Sequence, residues 1–446
     1  MFRFLIPLGL AVLFTNPVFA QAQAVKPAEI VDRPGLPSVS SQKITVWTLA
    51  DSVKHALNVA PEMRAAEAEI VARGGDLSQA GKWPNPTLDV RADNRLGMED
   101  GRGGVDISQV SLSQTIPLRR LAPQQAAAQA SLESAQASRN HQRLLLEREI
   151  ARVYHALQLA TAKRQLAEER HRLVADSLND STRTSRKSGV DRLVRYLTPL
   201  ERRRIVLLSE EASLTVVVAE RELQKARLAF RALLALVNEA QIEPVVMALA
   251  DTPADLHALT RKLDEHPALQ TARKELEAKQ SGVAVVDAER FADPTVTLYR
   301  EGGYIAGERR DSTGLGVSMQ IPFWNSSGSL VRAKAEAESA QARLELTQRD
   351  VRSRVIQPHT QLLGLLEQAE RIRVSLIEPA REIYTLTRQS FAVGELNVLT
   401  LVDAYNIYFD ALARYLEVQH ESLLTAADLR LASGVSILES SKGMTP

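Results

Sequence analysis

The sequence predicts a mainly α protein with a small β portion, built as two copies of one unit. Three observations predict it. Long stretches lack both helix breakers, short segments alternate with period two, and a set of landmarks recurs at a near-constant shift. The chain has 446 residues, 45% of them apolar and 24% charged, which excludes wholesale disorder. Its 55 basic and 54 acidic residues leave a net charge of +1. That balance excludes binding of a polyanion by bulk charge. The lack of cysteine excludes disulfides, thiolate metal sites, cysteine nucleophiles and a lipid carried on an N-terminal cysteine.

The N-terminus reads as an export signal. Arg3 supplies the positive start, and Phe4 to Phe14 is an apolar run of signal-peptide length. Val18-Phe19-Ala20 is a small-x-small cleavage site. The run is shorter than the ~20 residues of a spanning helix and contains Pro7. Residues 1–20 are therefore expected to be cleaved. Residues 21–43, with Pro27, Pro34, Pro37 and several serines, form an extended leader.

The duplication sets the domain plan. Ala60-Pro61-Glu62-Met63 resembles His266-Pro267-Ala268-Leu269, and Pro84-Asn85-Pro86-Thr87-Leu88 resembles Ala292-Asp293-Pro294-Thr295-Val296. The strand ends Ile116-Pro117 and Ile321-Pro322 match at a shift of 205, as do Ser134-Ala135-Gln136-Ala137 and Ser339-Ala340-Gln341-Ala342. The expected units are residues 44–238, with a strand hairpin at about 87–117 and a helical hairpin at about 124–238, and residues 255–435, with the corresponding hairpins at about 294–322 and 329–432. A linker at 239–254 joins them, and 436–446 is a tail.

Residues 124 to about 185 hold neither proline nor glycine, enough for a rod of roughly 90 Å at 1.5 Å per residue. Residues 329 to about 390 are similar apart from Pro358, Gly364 and Pro379. Each proline is expected to kink or interrupt the rod, as is Pro199 in the return helix, because proline lacks an N–H and clashes with the preceding turn. Val398, Val402, Tyr405, Phe409, Leu412, Leu416, Gln419 and Leu423 follow a heptad, and so do Ala333, Ala337, Ala340, Leu344, Thr347 and Val351. That period predicts left-handed supercoiled seams. Gly189 and Gly394 mark the tips of two helical hairpins. A plain coiled-coil scaffold in the periplasm, structural or adaptor, satisfies the helices equally well.

The strands carry the other half of the argument. Thr313, Leu315, Val317, Met319 and Ile321 alternate with Gly314, Gly316, Ser318 and Gln320. Val110, Leu112 and Ile116 alternate with Ser111, Ser113 and Thr115. Partner strands run from Thr87 to about Arg95 and from Thr295 to about Tyr304, joined by glycine-rich links at 97–104 and 302–307. Such lengths fit transmembrane β-strands. Four strands do not close around a lumen, and an open edge in lipid costs several kcal/mol per unpaired group. In a membrane, several chains must share one barrel. Two chains give eight strands and a filled interior; three give twelve and a bore. Two soluble hairpins, each with one wet face, fit the alternation as well.

These elements in this order, together with Trp83-Pro84-Asn85-Pro86-Thr87-Leu88 and Ser390-Phe391-Ala392-Val393-Gly394-Glu395 followed by Leu401-Val402-Asp403-Ala404, resemble the TolC family of outer membrane factors. The resemblance covers residues 44–435. It implies a homotrimer whose twelve-stranded outer-membrane β-barrel continues into a twelve-helix periplasmic α-barrel. It further implies a passive exit duct docked to a periplasmic adaptor and an inner-membrane pump. Asp293-Pro294-Thr295 and Ile321-Pro322-Phe323-Trp324-Asn325 with Gly328 look most similar to the CzcC-like branch. That branch serves resistance-nodulation-division pumps for divalent heavy-metal cations. Multidrug and type I secretion ducts are the runners-up. By the same resemblance Asp403 matches an acidic side chain at the periplasmic mouth, with Thr400 where some relatives carry a second acid. The tips Ser188-Gly189-Val190 and Val393-Gly394-Glu395 match the adaptor contacts.

No catalytic constellation is visible. The eight histidines are scattered without an i,i+4 pair, and no Walker loop or G-x-S-x-G motif occurs. The expectation is a channel with no enzyme activity, no cofactor and no metal-ligand cluster of its own.

Overall fold

One helix, α3, runs unbroken from Leu121 to Lys187, 67 residues, or roughly 100 Å at 1.5 Å per residue. The computed structural model describes residues 45–93, 106–187, 199–236, 242–305, 308–321, 327–393 and 395–440. The export signal, the leader and the tip Ser188-Gly189-Val190 lie outside the described residues, as does Gly394.

The other elements frame α3. β1 (Thr45–Trp47), α1 (Leu49–Val59) and α2 (Pro61–Ala80) lead into β2 (Thr87–Asp93) and β3 (Asp106–Thr115). After α3 come α4 (Pro199–Leu233), β4 (Ile242–Pro244), α5 (Leu256–Arg261) and α6 (Pro267–Ala288). Then follow β5 (Thr295–Ile305), β6 (Glu308–Ser318), α7 (Ser327–Ile372), α8 (Glu378–Val393), α9 (Val398–Ser433) and α10 (Ile437–Ser440). Pro61 and Pro267 both open their helices at the first position, where the missing N–H costs nothing. α4 is described from Pro199 onward, so the kink expected there lies at the edge of the described residues.

The four long strands make one antiparallel sheet in the order β2-β3-β5-β6. Thr87 faces Ser113 in the first hairpin and Thr295 faces Ser318 in the second. β3 joins the hairpins by pairing with β5, Leu112 facing Leu298. Below the sheet, α3 packs against α2, α4, α6 and α9, and α7 packs against α6 and α9. α4 packs extensively on α3 alone. The lateral order is therefore α4-α3-α9-α7, with α4 and α7 at the two open sides.

The heptad seams lie in part where the sequence puts them, with Leu412, Leu416 and Leu423 of α9 only half-buried. Val402, Tyr405, Phe409 and Gln419 are buried along α9, and Ala340, Leu344 and Val351 along α7. The α7 stripe continues through Val355, Leu362, Leu365 and Ala369. In α4 the buried stripe is Ala212, Ala219, Leu223 and Phe230.

Four expectations are corrected. Pro358 does not break α7, which stays helical through it; buried Val355 and Leu362 on either side hold the stripe in the seam, and packing overrides the local penalty. At Pro379 the rod widens instead of breaking. Residues Arg373–Ile377 form a π turn in which Glu378 N donates to Arg373 O, which moves the ladder past the proline that has no N–H to give. The last strand is Glu308–Ser318 and ends before Met319 and Ile321. Its partner β5 begins at Thr295, so among the described residues no pairing continues beyond Ser318. On the same strand pair, Gly302 and Gly303 lie within β5, facing Asp311 and Arg310.

The linker holds an element that the sequence reading missed. β4 pairs in parallel with β1, Thr45 facing Ile242. Tyr154 of α3 ties the pair down: its Oη donates to Trp47 O at 2.9 Å and accepts from Val245 N at 3.2 Å. Phe230, Ile150, Leu157 and Val53 form the core beneath.

Candidate functional site

The sheet has two chemically opposed faces. The register aligns Leu88, Leu112, Leu298 and Leu315 in one row and Val296 with Val317 in the next. This face is apolar and open: Leu315 is 75% and Val317 74% exposed. The opposite face carries Ser111, Ser113, Thr115, Thr295 and Thr297. Ser113 and Thr297 hydroxyls lie 2.9 Å apart, and those of Thr115 and Thr295 3.0 Å. Tyr299 lies on the polar face, its ring over Gly314; a Cβ built at Gly314 comes within 2.6 Å of the ring. The glycine gives the ring its seat. An exposed apolar row four strands wide, backed by a polar row, is the wrong way round for a water-soluble sheet and suits one facing lipid.

Strands become helices at a polar junction. Asp293 accepts from Arg120 Nε at 2.7 Å and from Leu118 N at 3.0 Å. That pair locks the β3–α3 turn to the α6–β5 turn. Gln114 Nε2 donates to Pro84 O and to Thr115 O. Arg119 sits 4.5 Å over the Phe291 ring. The motif Asp293-Pro294-Thr295 thus acts as a joint.

At the far end, α9 begins at an Asn397 cap. Asn397 Oδ1 accepts from Thr400 N and Thr400 Oγ1, each at 2.9 Å. Asp403 follows one turn later; both Thr400 and Asp403 are exposed. The neighbours of Asp403 in sequence, Leu401, Val402, Ala404 and Tyr405, are all buried, so the helix presents Asp403 on its free side. Tyr384 stacks on Tyr408 at 5.6 Å and tilts against Tyr405 at 5.0 Å, pinning α8 to α9. At the tip, Val393 ends α8, and Glu395 is exposed, its N donating to Ser390 O. Among the described residues, Thr400 is the sequence-predicted site residue that lies beside Asp403.

Three histidines bond to neighbouring groups inside the fold. His266 caps α6, its Nδ1 accepting from Ala268 N, and its Nε2 lies 3.0 Å from Leu431 O. His359 Nε2 lies 3.1 Å from Ala254 O. Buried His155 donates from Nδ1 to Gln158 Oε1 at 2.8 Å, while Gln158 Nε2 donates to Val245 O. Desolvation pulls the His155 pKa down to about 4 against the pull of its Gln158 bond. Among the described residues no three His, Asp or Glu side chains gather as metal ligands. No described helix is long and apolar enough to cross a membrane.

Comparison with known proteins decides the family. The sequence pattern of the outer membrane efflux protein family matches residues 53–236 and 258–435. The chain belongs to the outer membrane efflux protein family. The cobalt-zinc-cadmium resistance protein CzcC of Cupriavidus metallidurans is 24% identical over 439 residues, covering 96% of this chain and 98% of CzcC. The fold matches crystal structures of CusC, with a TM-score of 0.69 at 16% identity over 89% of this chain and 93% of that one. It also matches the open state of the Neisseria gonorrhoeae MtrE outer membrane channel, with a TM-score of 0.70 at 18% identity over 87% and 89%. This outer membrane efflux protein is accordingly a channel protein, not an enzyme.

Proposed function

We propose that three copies of this chain close one pore, a twelve-stranded barrel in the outer membrane continuing into a twelve-helix periplasmic tunnel. The observation that carries the reading is the sheet, with its exposed apolar face and its two unpaired edges, β2 and β6. Lipid tolerates such a face and forbids such edges, so the edges must be covered by other copies. The helical layer is open on the same two sides. The two halves are copies of one unit: the shift of 208 that takes Thr87 to Thr295 and the shift of 205 that takes Ile116 to Ile321 also take the Thr87–Ser113 pair onto Thr295–Ser318.

The substrate is a divalent heavy-metal cation, delivered by an inner-membrane resistance-nodulation-division pump through a periplasmic adaptor. The near full-length likeness to a cobalt-zinc-cadmium resistance protein supports this choice. Three copies of Asp403 gather at the periplasmic mouth, with Thr400 beside them, and draw cations in. Ser188, Gly189, Val190, Val393, Gly394 and Glu395 meet the adaptor. Residues 1–20 are removed on export. Growth of a deletion strain on zinc, cobalt and cadmium tests the substrate. The chain restores metal resistance on this reading; restored tolerance to drugs alone assigns it to multidrug efflux instead.

A further inference from the structure

Closure leaves open which residues meet across the boundary, and the chain itself contains a template for it. We propose that α7 and the π turn pack antiparallel on α4 of the next copy, with Leu363 against Val217 and Val374 against Val206. This rests on the channel reading above.

The template is the seam where the first half meets the second inside one chain. There α3 runs antiparallel to α9. Lys163 reaches Glu417 at 3.3 Å, and one heptad along α3 Arg170 reaches Asp410 at 4.0 Å, one heptad back along α9. Arg170 also donates to Asn406 Oδ1 at 2.8 Å. The shift of 205 that relates Ser134 to Ser339 and Gly189 to Gly394 carries α3 onto α7–α8 and α4 onto α9. Moved one half onward, the α3–α9 seam becomes α7 against α4 of the next copy, in the same register.

The surfaces agree with that register. The register set by Lys163–Glu417 and Arg170–Asp410 puts Gln158 level with Ser422; they are 7% and 0% exposed, and the linker backbone bonds to both. Their counterparts one half onward are Leu363 and Val217, each left 44% exposed by a single chain. Val374 and Val206 are 45% and 49% exposed. They correspond to positions flanking the Arg170–Asp410 pair. α4 therefore has a second apolar side besides the one buried on α3, and Leu207 and Leu214 extend it. A helix apolar on two sides belongs between two partners. The contact is head-to-tail, so it closes a ring instead of ending at a dimer. The sheet edges repeat the logic: β3 on β5 is the cross-half pairing, and β6 on β2 of the next copy is its continuation.

The chain's lack of cysteine makes the test clean. In the full-length protein, purified in detergent, V217C/L363C and V206C/V374C are oxidised and run on non-reducing gels. Covalent dimers and trimers are expected from both pairs. None is expected from V206C/L363C, which is displaced by about three turns, or from any single cysteine variant. Disulfides within one chain are ruled out because α3 and α9 stand between α4 and α7, two helix widths of 8–10 Å each. Cross-linking of V206C/L363C, or of neither matched pair while light scattering still reports a trimer, overturns the register. A monomer by light scattering for the unaltered chain overturns the channel reading itself.

Discussion

Burial holds His155 uncharged, and its acid dependence follows. With a folded pKa of about 4 against an ordinary 6.5, the unfolded chain takes up a proton between those values and the folded chain does not. Stability contributed by the neutral ring is intact above pH 6.5, falls as pH drops toward 4, and changes no further below it. The loss is about 3 kcal/mol at most, at 1.36 kcal/mol per unit. Thermal unfolding between pH 7 and 4 should show the decline, and His155→Gln should make it shallower, the remainder coming from His141, His266 and His420, which burial also lowers; an equally steep decline in the variant assigns it elsewhere. Gly314 answers to a different force. Gly314→Val pushes the Tyr299 ring off its seat, an overpacking cost of about 1–3 kcal/mol. The assembled protein should dissociate at a lower temperature on semi-native gels, and Y299A/G314V should recover part of the loss. For Asp403, removing the charge with Asp403→Ala should raise single-channel conductance or weaken cation block from the periplasmic side. Conductance identical to the unaltered protein takes Asp403 out of the mouth.

At the scale of elements, the C-terminal turn depends on one buried carboxylate. Glu147 of α3 accepts from Ser436 Oγ at 2.8 Å, Ile437 N at 2.8 Å and Arg143 Nε at 2.9 Å. It fastens α10 over the core that Ile437 joins. Glu147→Ala strands these donors at about 1–3 kcal/mol for each one left buried and unpaired. Limited proteolysis should then cut first after Gly434. The seams and the strands were legible because both repeat: a heptad names its buried side, and period two names two faces. β1 and β4 were not, since three residues each carry no period and their pairing is set by Tyr154 from a distant helix. The prolines misled for a related reason. Local chemistry predicts a break at Pro358 and Pro379, but a helix held along its length by a seam absorbs one as an unbroken turn and the other as a π turn. The joint at Asp293 was legible only as a repeated motif; its partner Arg120 was invisible because nothing in sequence links a turn to one far away.

At the scale of the molecule, the proposed pore makes a single copy unfinished on two sides. Exposed leucines and valines on α4 and α7, the unpaired edges of β2 and β6 and the bare apolar face of the sheet all call for covering surfaces. The sequence already argued that four strands leave open edges in lipid, and the fold adds which strands are the edges. Asp403 and the tips remained the least legible part, because their role depends on where copies meet. The most direct test is the molar mass of the detergent-solubilised protein, corrected for bound detergent by multi-angle light scattering. The account predicts three chains per particle and no folded species without detergent or lipid. A folded monomer, stable in plain buffer, contradicts it.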